Sequence, residues 1–251
     1  LRESELHAEL LPYWRVSVVD VTGSTQNDLA ESVHAETAHD GDVLVANYQR
    51  AGRGRLDREF IAAPSSALLF SLYKKVTRPR SEWNFIALLT ALSITDALAE
   101  FDSHVQLNVK WPNDILTPDG AKLCGVLLER ASDAVVVGIG LNLVWHPQNL
   151  ERKVTDLLTL GATPPDAQTA VEIVAEVFAR YLAIWRQSGV EVIVRHWEAR
   201  AHPRGTALSA KLPDGEHLDG LYAGLNEDGA LQLRLADGAI RAIHAADVFL
   251  I

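Results

Sequence analysis

The sequence has one cysteine, no methionine, few basic residues for its acidic ones, and no long hydrophobic run. A single thiol, Cys124, can form no intrachain disulfide and leaves no cysteine cluster to bind a metal, so a cytoplasmic location is expected. No stretch of about 18 continuous apolar residues occurs, so no membrane-spanning helix is expected. The opening LRESELHAEL is acidic where an export signal has a basic start and an apolar run. Without methionine the chain as written is expected to lack its own start, so the absence of a targeting segment is read for these residues only. The 23 Lys and Arg against 33 Asp and Glu give a net charge of -10, which argues against a broad cationic surface for DNA or anionic lipid. The histidines are scattered without His-x-x-His or His-Glu-x-x-His spacing, and no Gly-x-Ser-x-Gly elbow exists, which sets aside zinc and serine-hydrolase chemistry.

What is present is a chain of 251 residues, 48% apolar and 22% charged, long enough for one large domain or a catalytic domain with a small satellite. Helical spacing runs from Thr25 to Ala38, where Ser24 or Thr25 is expected to cap the first turn and Asp28 to complete a capping box with Thr25. DVLVANYQ and SALLFSLYK read as strands flanking the irregular AGRGRLDREF. The apolar stripe of Ser81 to Phe101 predicts a long helix. LNVKWPNDILT reads as a strand broken by Pro112, followed by strands AKLCGVLLER and AVVVGIGLNLVW. Helices are predicted again over Thr169–Trp185 and Val190–Glu198, and from Pro203 the texture changes to short alternating strands punctuated by Asp-Gly turns. The expected fold class is α+β: a mixed, largely antiparallel sheet covered by helices over 1–202, with a small β-barrel over 203–251 that needs to dock to be stable.

Four polar clusters interrupt this pattern. Gly52-Arg53-Gly54-Arg55 combines permissive backbone with two guanidinium forks suited to carboxylate or phosphate oxygens, yet matches neither a P-loop nor a dinucleotide fingerprint. It also reads as an exposed turn. Lys110-Trp111-Pro112-Asn113-Asp114 presents an amide and a carboxylate at a strand break, equally a structural bulge. Lys122-Leu123-Cys124-Gly125 opens a strand with a lysine that, taken alone, is an anti-aggregation device at a sheet edge. Gly138-Ile139-Gly140-Leu141-Asn142 sets two glycines and Asn142 on one strand face, open to a flat ligand or to a packed backbone. Together the clusters suit an anionic, nucleotide-like ligand.

In order and spacing, these clusters, with Gly23-Ser24-Thr25-Gln26-Asn27 and Gln49, resemble the biotin protein ligases, and specifically the type without an N-terminal DNA-binding domain. The tail from Pro203 resembles that family's SH3-like C-terminal domain. The resemblance implies a class II synthetase-like fold, ATP and biotin as ligands with Mg2+, formation of biotinyl-5'-AMP and pyrophosphate, and transfer of biotin to one lysine of a biotin carboxyl carrier domain. It implies that Arg53 and Arg55 clamp phosphate and carboxylate oxygens, with Gly52 and Gly54 shaping their loop, and that Lys122 bridges the carboxylate and the α-phosphoryl group. Lys110 joins the catalytic set. Ser24, Thr25 and Gln49 would bind the biotin head group with help from Gly125, Asn142 would meet adenine, Asn113 would lie beside the phosphates, and Gln26 and Trp111 would be among the cofactor-binding residues. Asp114 would sit by the phosphates as a Mg2+ ligand, an aligner of the cations, or the acceptor of the incoming lysine's proton. The family usually continues the loop with another Gly-Arg pair and a tryptophan, whereas here it reads Leu56-Asp57-Arg58-Glu59-Phe60, with phenylalanine in the tryptophan position. A lipoate ligase and a non-catalytic biotin-binding module are the alternatives, and either a monomer or a homodimer is compatible with the sequence. No DNA or membrane partner is expected.

Overall fold

A computed structural model describes residues 14–251 apart from 57, 149 and 151. Seven strands form the main sheet: β1 (Arg15–Thr22), β2 (Asp42–Gln49), β3 (Ala67–Lys75), β4 (Asn108–Lys110), β5 (Asp114–Leu116), β6 (Lys122–Ala131) and β7 (Ala134–Asn142). Their order is β1-β2-β3-β7-β6-β5-β4. Only the β1–β2 pair is parallel, because helix α1 (Thr25–His34) carries the chain back between them; the remaining pairs are antiparallel. β1 was not read from the sequence. Its valines at 16, 18 and 21 are exposed, so this edge strand lacks the buried face that gives a strand its alternation.

Helices α2 (Phe85–Phe101), α3 (Ala167–Ser188) and α4 (Val190–Glu198) cover the sheet. α2 is apolar nearly all round, as a helix held between a sheet and two other helices must be. The predicted start at Ser81 is instead a 3₁₀ turn, Arg80–Glu82, before the α-helix proper. The LNVKWPNDILT segment is a hairpin rather than one interrupted strand: the Trp111–Pro112 peptide is cis, and β4 folds back on β5.

The C-terminal strands β8 (Ala207–Lys211), β9 (His217–Leu225), β10 (Leu231–Arg234), β11 (Ile240–Ile243) and β12 (Asp247–Leu250) form an antiparallel sheet in the order β11-β10-β9-β8-β12. Leu208, Tyr222, Leu231, Leu233 and Val248 join one continuous core with Phe70, Phe85, Phe178, Trp185 and Trp197. That shared core supplies the apolar burial so small a sheet lacks by itself. No helix among the described residues is long and apolar enough to cross a membrane.

Candidate active site

The 52–60 loop leaves β2 and folds on itself. The Gly54 N–H donates to Arg58 O at 2.7 Å and the Phe60 N–H to Gly52 O at 2.9 Å. A side chain at Gly52 would collide with the Phe60 backbone, which explains the glycine there. Among the described residues, the cations of the loop pair with groups outside it rather than with the neighbouring Glu59. Arg53 pairs with Glu129 of β6 and with Asn27 of α1, Arg55 donates to Ala246 O at 3.5 Å, and Arg58 pairs with Asp247. Burial lowers the pKa of Arg55, opposed by the charges of Asp247 and Asp114; an arginine stays protonated through such a shift.

Asp114 opens β5 and is almost wholly buried. Lys122 forms an ion pair with its Oδ1, while Lys110 Nζ lies 3.5 Å and Arg152 Nη1 3.9 Å from its Oδ2. Burial alone would raise this carboxyl, but the ammonium groups of Lys122 and Lys110, the hydrogen bond from Lys122, and the Arg152 charge outweigh it and bring it to about 2. Burial also lowers Lys110, with Asp114 opposing. Lys122 is therefore no edge device: β6 lies between β5 and β7, and the lysine folds over Gly125, where a Cβ would stand 2.9 Å from its Nζ. Cys124 beneath is inert, its thiol pushed up to about 12 by burial.

A buried polar chain occupies the start of α1. The expected caps do not form: Ser24 is the N-cap but makes no side-chain bond, and Gln49 Oε1 instead accepts from the Thr25 backbone N–H at 2.7 Å and its hydroxyl at 3.1 Å. Asp28 accepts from Thr22 Oγ1 at 2.5 Å rather than closing a capping box. Ser24 Oγ is buried without a hydrogen-bond partner among the described residues, as a hydroxyl reserved for a ligand would be. On β7, the space over Gly138 is taken by the Gln26 amide and that over Gly140 by the Phe60 ring, each within 2.6 Å of where a Cβ would stand. The glycine face is thus filled by these side chains rather than left open.

The remaining candidates lie beside these groups in supporting positions. Asn142 Nδ2 donates to Thr155 O at 2.9 Å. Asn113 Nδ2 donates to Val126 O at 2.5 Å and pins the hairpin to β6. Trp111 points away from the cations into the domain junction, its indole N–H reaching Gly229 O at 3.0 Å. Both Asp114 oxygens face cations, so Asp114 does not fit as a Mg2+ ligand in this arrangement. Sequence reasoning missed Glu129, Ser71, Arg152 and Asp247, and gave Asn27 no role of its own within the Gly23–Asn27 motif.

A sheet that gathers arginines and lysines around one ionised carboxylate, beside an unpartnered buried hydroxyl, defines a site that brings anionic groups together. Residues 18–143 match the Biotin/lipoate A/B protein ligase family and residues 209–251 the Biotin protein ligase C terminal domain. The chain is 32% identical over 240 residues to the biotin--[acetyl-CoA-carboxylase] ligase of Mycobacterium tuberculosis, covering 94% of this chain and 89% of that protein. It is 33% identical to the Paracoccus denitrificans protein of the same name, over 82% of this chain and 89% of that one. The biotin protein ligase of Aquifex aeolicus in complex with biotin and ATP has the same fold, with a TM-score of 0.82 at 24% identity, covering 94% of this chain and 99% of that chain. The chain therefore belongs to the biotin/lipoate A/B protein ligase family, among its biotin protein ligases.

Proposed function

We propose that this chain activates biotin with ATP to biotinyl-5'-AMP and pyrophosphate and then transfers biotin to a lysine of a biotin carboxyl carrier domain, in keeping with relatives whose names give acetyl-CoA carboxylase as the protein they act on. The observation that carries the reading is the cluster of Lys122, Lys110 and Arg152 around an ionised, buried Asp114. Two anions, a carboxylate and an α-phosphoryl group, must approach in line, and fixed positive charge in a partly dry site opposes their repulsion at no reorganisation cost during reaction. Lys122 bridges the two, and Arg53 and Arg55 clamp their oxygens. Ser24, Thr25 and Gln49 meet the ureido ring, Phe60 covers the ligand beside β7, and Asn142 and Thr155 border the adenine.

Because biotin's carboxylate is already ionised, the first step needs no general base. In the second step the acceptor lysine must lose a proton, and a carboxyl held near 2 is a weak acceptor. Asp114 is accordingly an aligner of the cations. On this reading residues 1–202 hold the ligands and residues 203–251 brace the loop. ATP–pyrophosphate exchange run with biotin and then with lipoate is the direct test: exchange with biotin is expected. Exchange with lipoate alone would make the protein a lipoate ligase, and none with either would make it a binding module.

A further inference from the structure

The guanidinium of Arg53 offers five N–H donors. Nη1 donates to Asn27 Oδ1 at 2.7 Å and to Glu129 Oε2 at 3.2 Å, and Nη2 to Glu129 Oε1 at 2.7 Å. Those bonds occupy the end of the group. They leave the Nε–H and one Nη2 N–H, side by side on the other edge of a half-exposed side chain. Glu129 is itself fixed, since Gln26 Nε2 donates to its Oε2 at 2.9 Å and to Val136 O at 3.1 Å. Gln26 Oε1 in turn accepts from Ser71 Oγ at 3.1 Å, Ser71 Oγ lies 2.9 Å from the Thr25 hydroxyl, and Gln49 Oε1 accepts from the Thr25 backbone N–H at 2.7 Å. A continuous hydrogen-bonded chain thus runs from Gln49 to Arg53 through residues of α1, β3 and β6.

We propose that Glu129 and Asn27 are positioning residues of the ligation reaction, holding Arg53 by its end so that its free edge is preset to take two oxygens of the reacting carboxylate or phosphoryl group. The proposal rests on the role given to Arg53 above. A half-exposed ion pair contributes little to folding, but an arginine held in place before its ligand arrives loses less side-chain freedom on binding and presents its donors without rearrangement. The anchored Glu129 gives the loop arginine a fixed reference on the rigid sheet.

Pyrophosphate exchange measured on the full chain with Arg53→Ala, Glu129→Gln, Asn27→Ala and the Arg53→Ala/Glu129→Gln pair tests this. Arg53→Ala is expected to lower exchange roughly a hundredfold, as loss of a transition-state donor does. Glu129→Gln, with circular dichroism confirming the fold, is expected to lower kcat about tenfold, the scale of a sub-ångström misplacement, with KM for biotin within about threefold. In the Arg53→Ala background the Glu129 change is expected to add nothing, because it acts only through that arginine. Asn27→Ala should move kcat the same way by about threefold. A folded Glu129→Gln enzyme with parent kcat, a multiplicative loss in the pair, or faster exchange on removing Glu129 would each overturn the proposal, the last by showing that Glu129 competes with the ligand. If Glu129→Gln does not fold, Asn27→Ala and its pair with Arg53→Ala decide by the same criteria. Parent exchange in Arg53→Ala would instead overturn the reading of Arg53, and the proposal with it.

Discussion

Lys122 of β6 forms an ion pair with Asp114 of β5 and helps to hold that carboxyl in its charged form. Lys122→Ala removes a charge aligned with the reacting oxygens and little apolar packing, so it is expected to slow adenylate formation by about a hundredfold in a folded protein. Near-parent pyrophosphate exchange would contradict the assignment. The carboxyl of Asp114 is depressed from 3.8 to about 2, so its contribution to stability is complete above about pH 4 and is lost as pH falls toward 2. Urea midpoints of the parent and of Asp114→Asn should therefore differ by a constant amount above about pH 4 and converge below it; a gap that persists to pH 2 would mean the clamp does not set this pKa. Lys122, Arg53 and Asp114 were singled out in the sequence through motifs that resemble the biotin protein ligases, since taken alone their clusters also read as an edge device, a turn and a bulge. Glu129 was not, since its partner Arg53 lies 76 residues away and only the sheet brings them together. Ser24 was named through the resemblance, and its burial without a partner among the described residues is seen only in the structure.

At the scale of elements, the barrel's last strand and the turn before it reach into the site. Ala246 O accepts from Arg55, Asp247 pairs with Arg58, and Val248 O accepts from Lys110 Nζ at 2.8 Å. Asp247→Ala removes one contact while leaving the backbone carbonyls on either side. It is expected to raise the KM for ATP several-fold, with the melting temperature within a few degrees of the parent, the usual scale for one partly exposed ion pair. Unchanged kinetics would show that the barrel holds the loop through its carbonyls alone. Most elements were legible from periodicity: β2 and α4 begin and end where the sequence places them, and the Asp-Gly turns divide the barrel correctly. The failures have distinct causes. β1 exposes its valines and so hides its alternation, the break between β11 and β12 at 244–246 carries no Asp-Gly turn, and the Gly138 and Gly140 face is filled by Gln26 and Phe60, which no local pattern could reveal.

At the scale of the whole molecule, the loop joins two sheets that share one core. Its backbone bonds are few and its outer side chains exposed, which puts it at the low-stability end of the structure, whereas β12 is paired along its length with β8. The contacts of Arg55 and Arg58 connect the two. A ligand that engages the free edges of Arg53 and Arg55 fixes the loop, and the loop then fixes the barrel strand it holds. Biotin together with a non-hydrolysable ATP analogue is therefore expected to slow amide exchange at Gly54 and Phe60, the loop's internally bonded amides, and in β12 at the same ligand concentrations. Asp247→Ala should uncouple these responses, keeping protection in the loop and losing it in β12. Protection confined to the loop in the parent would show that the barrel is a static support. No slowing at either place would remove the loop from the ligand site altogether.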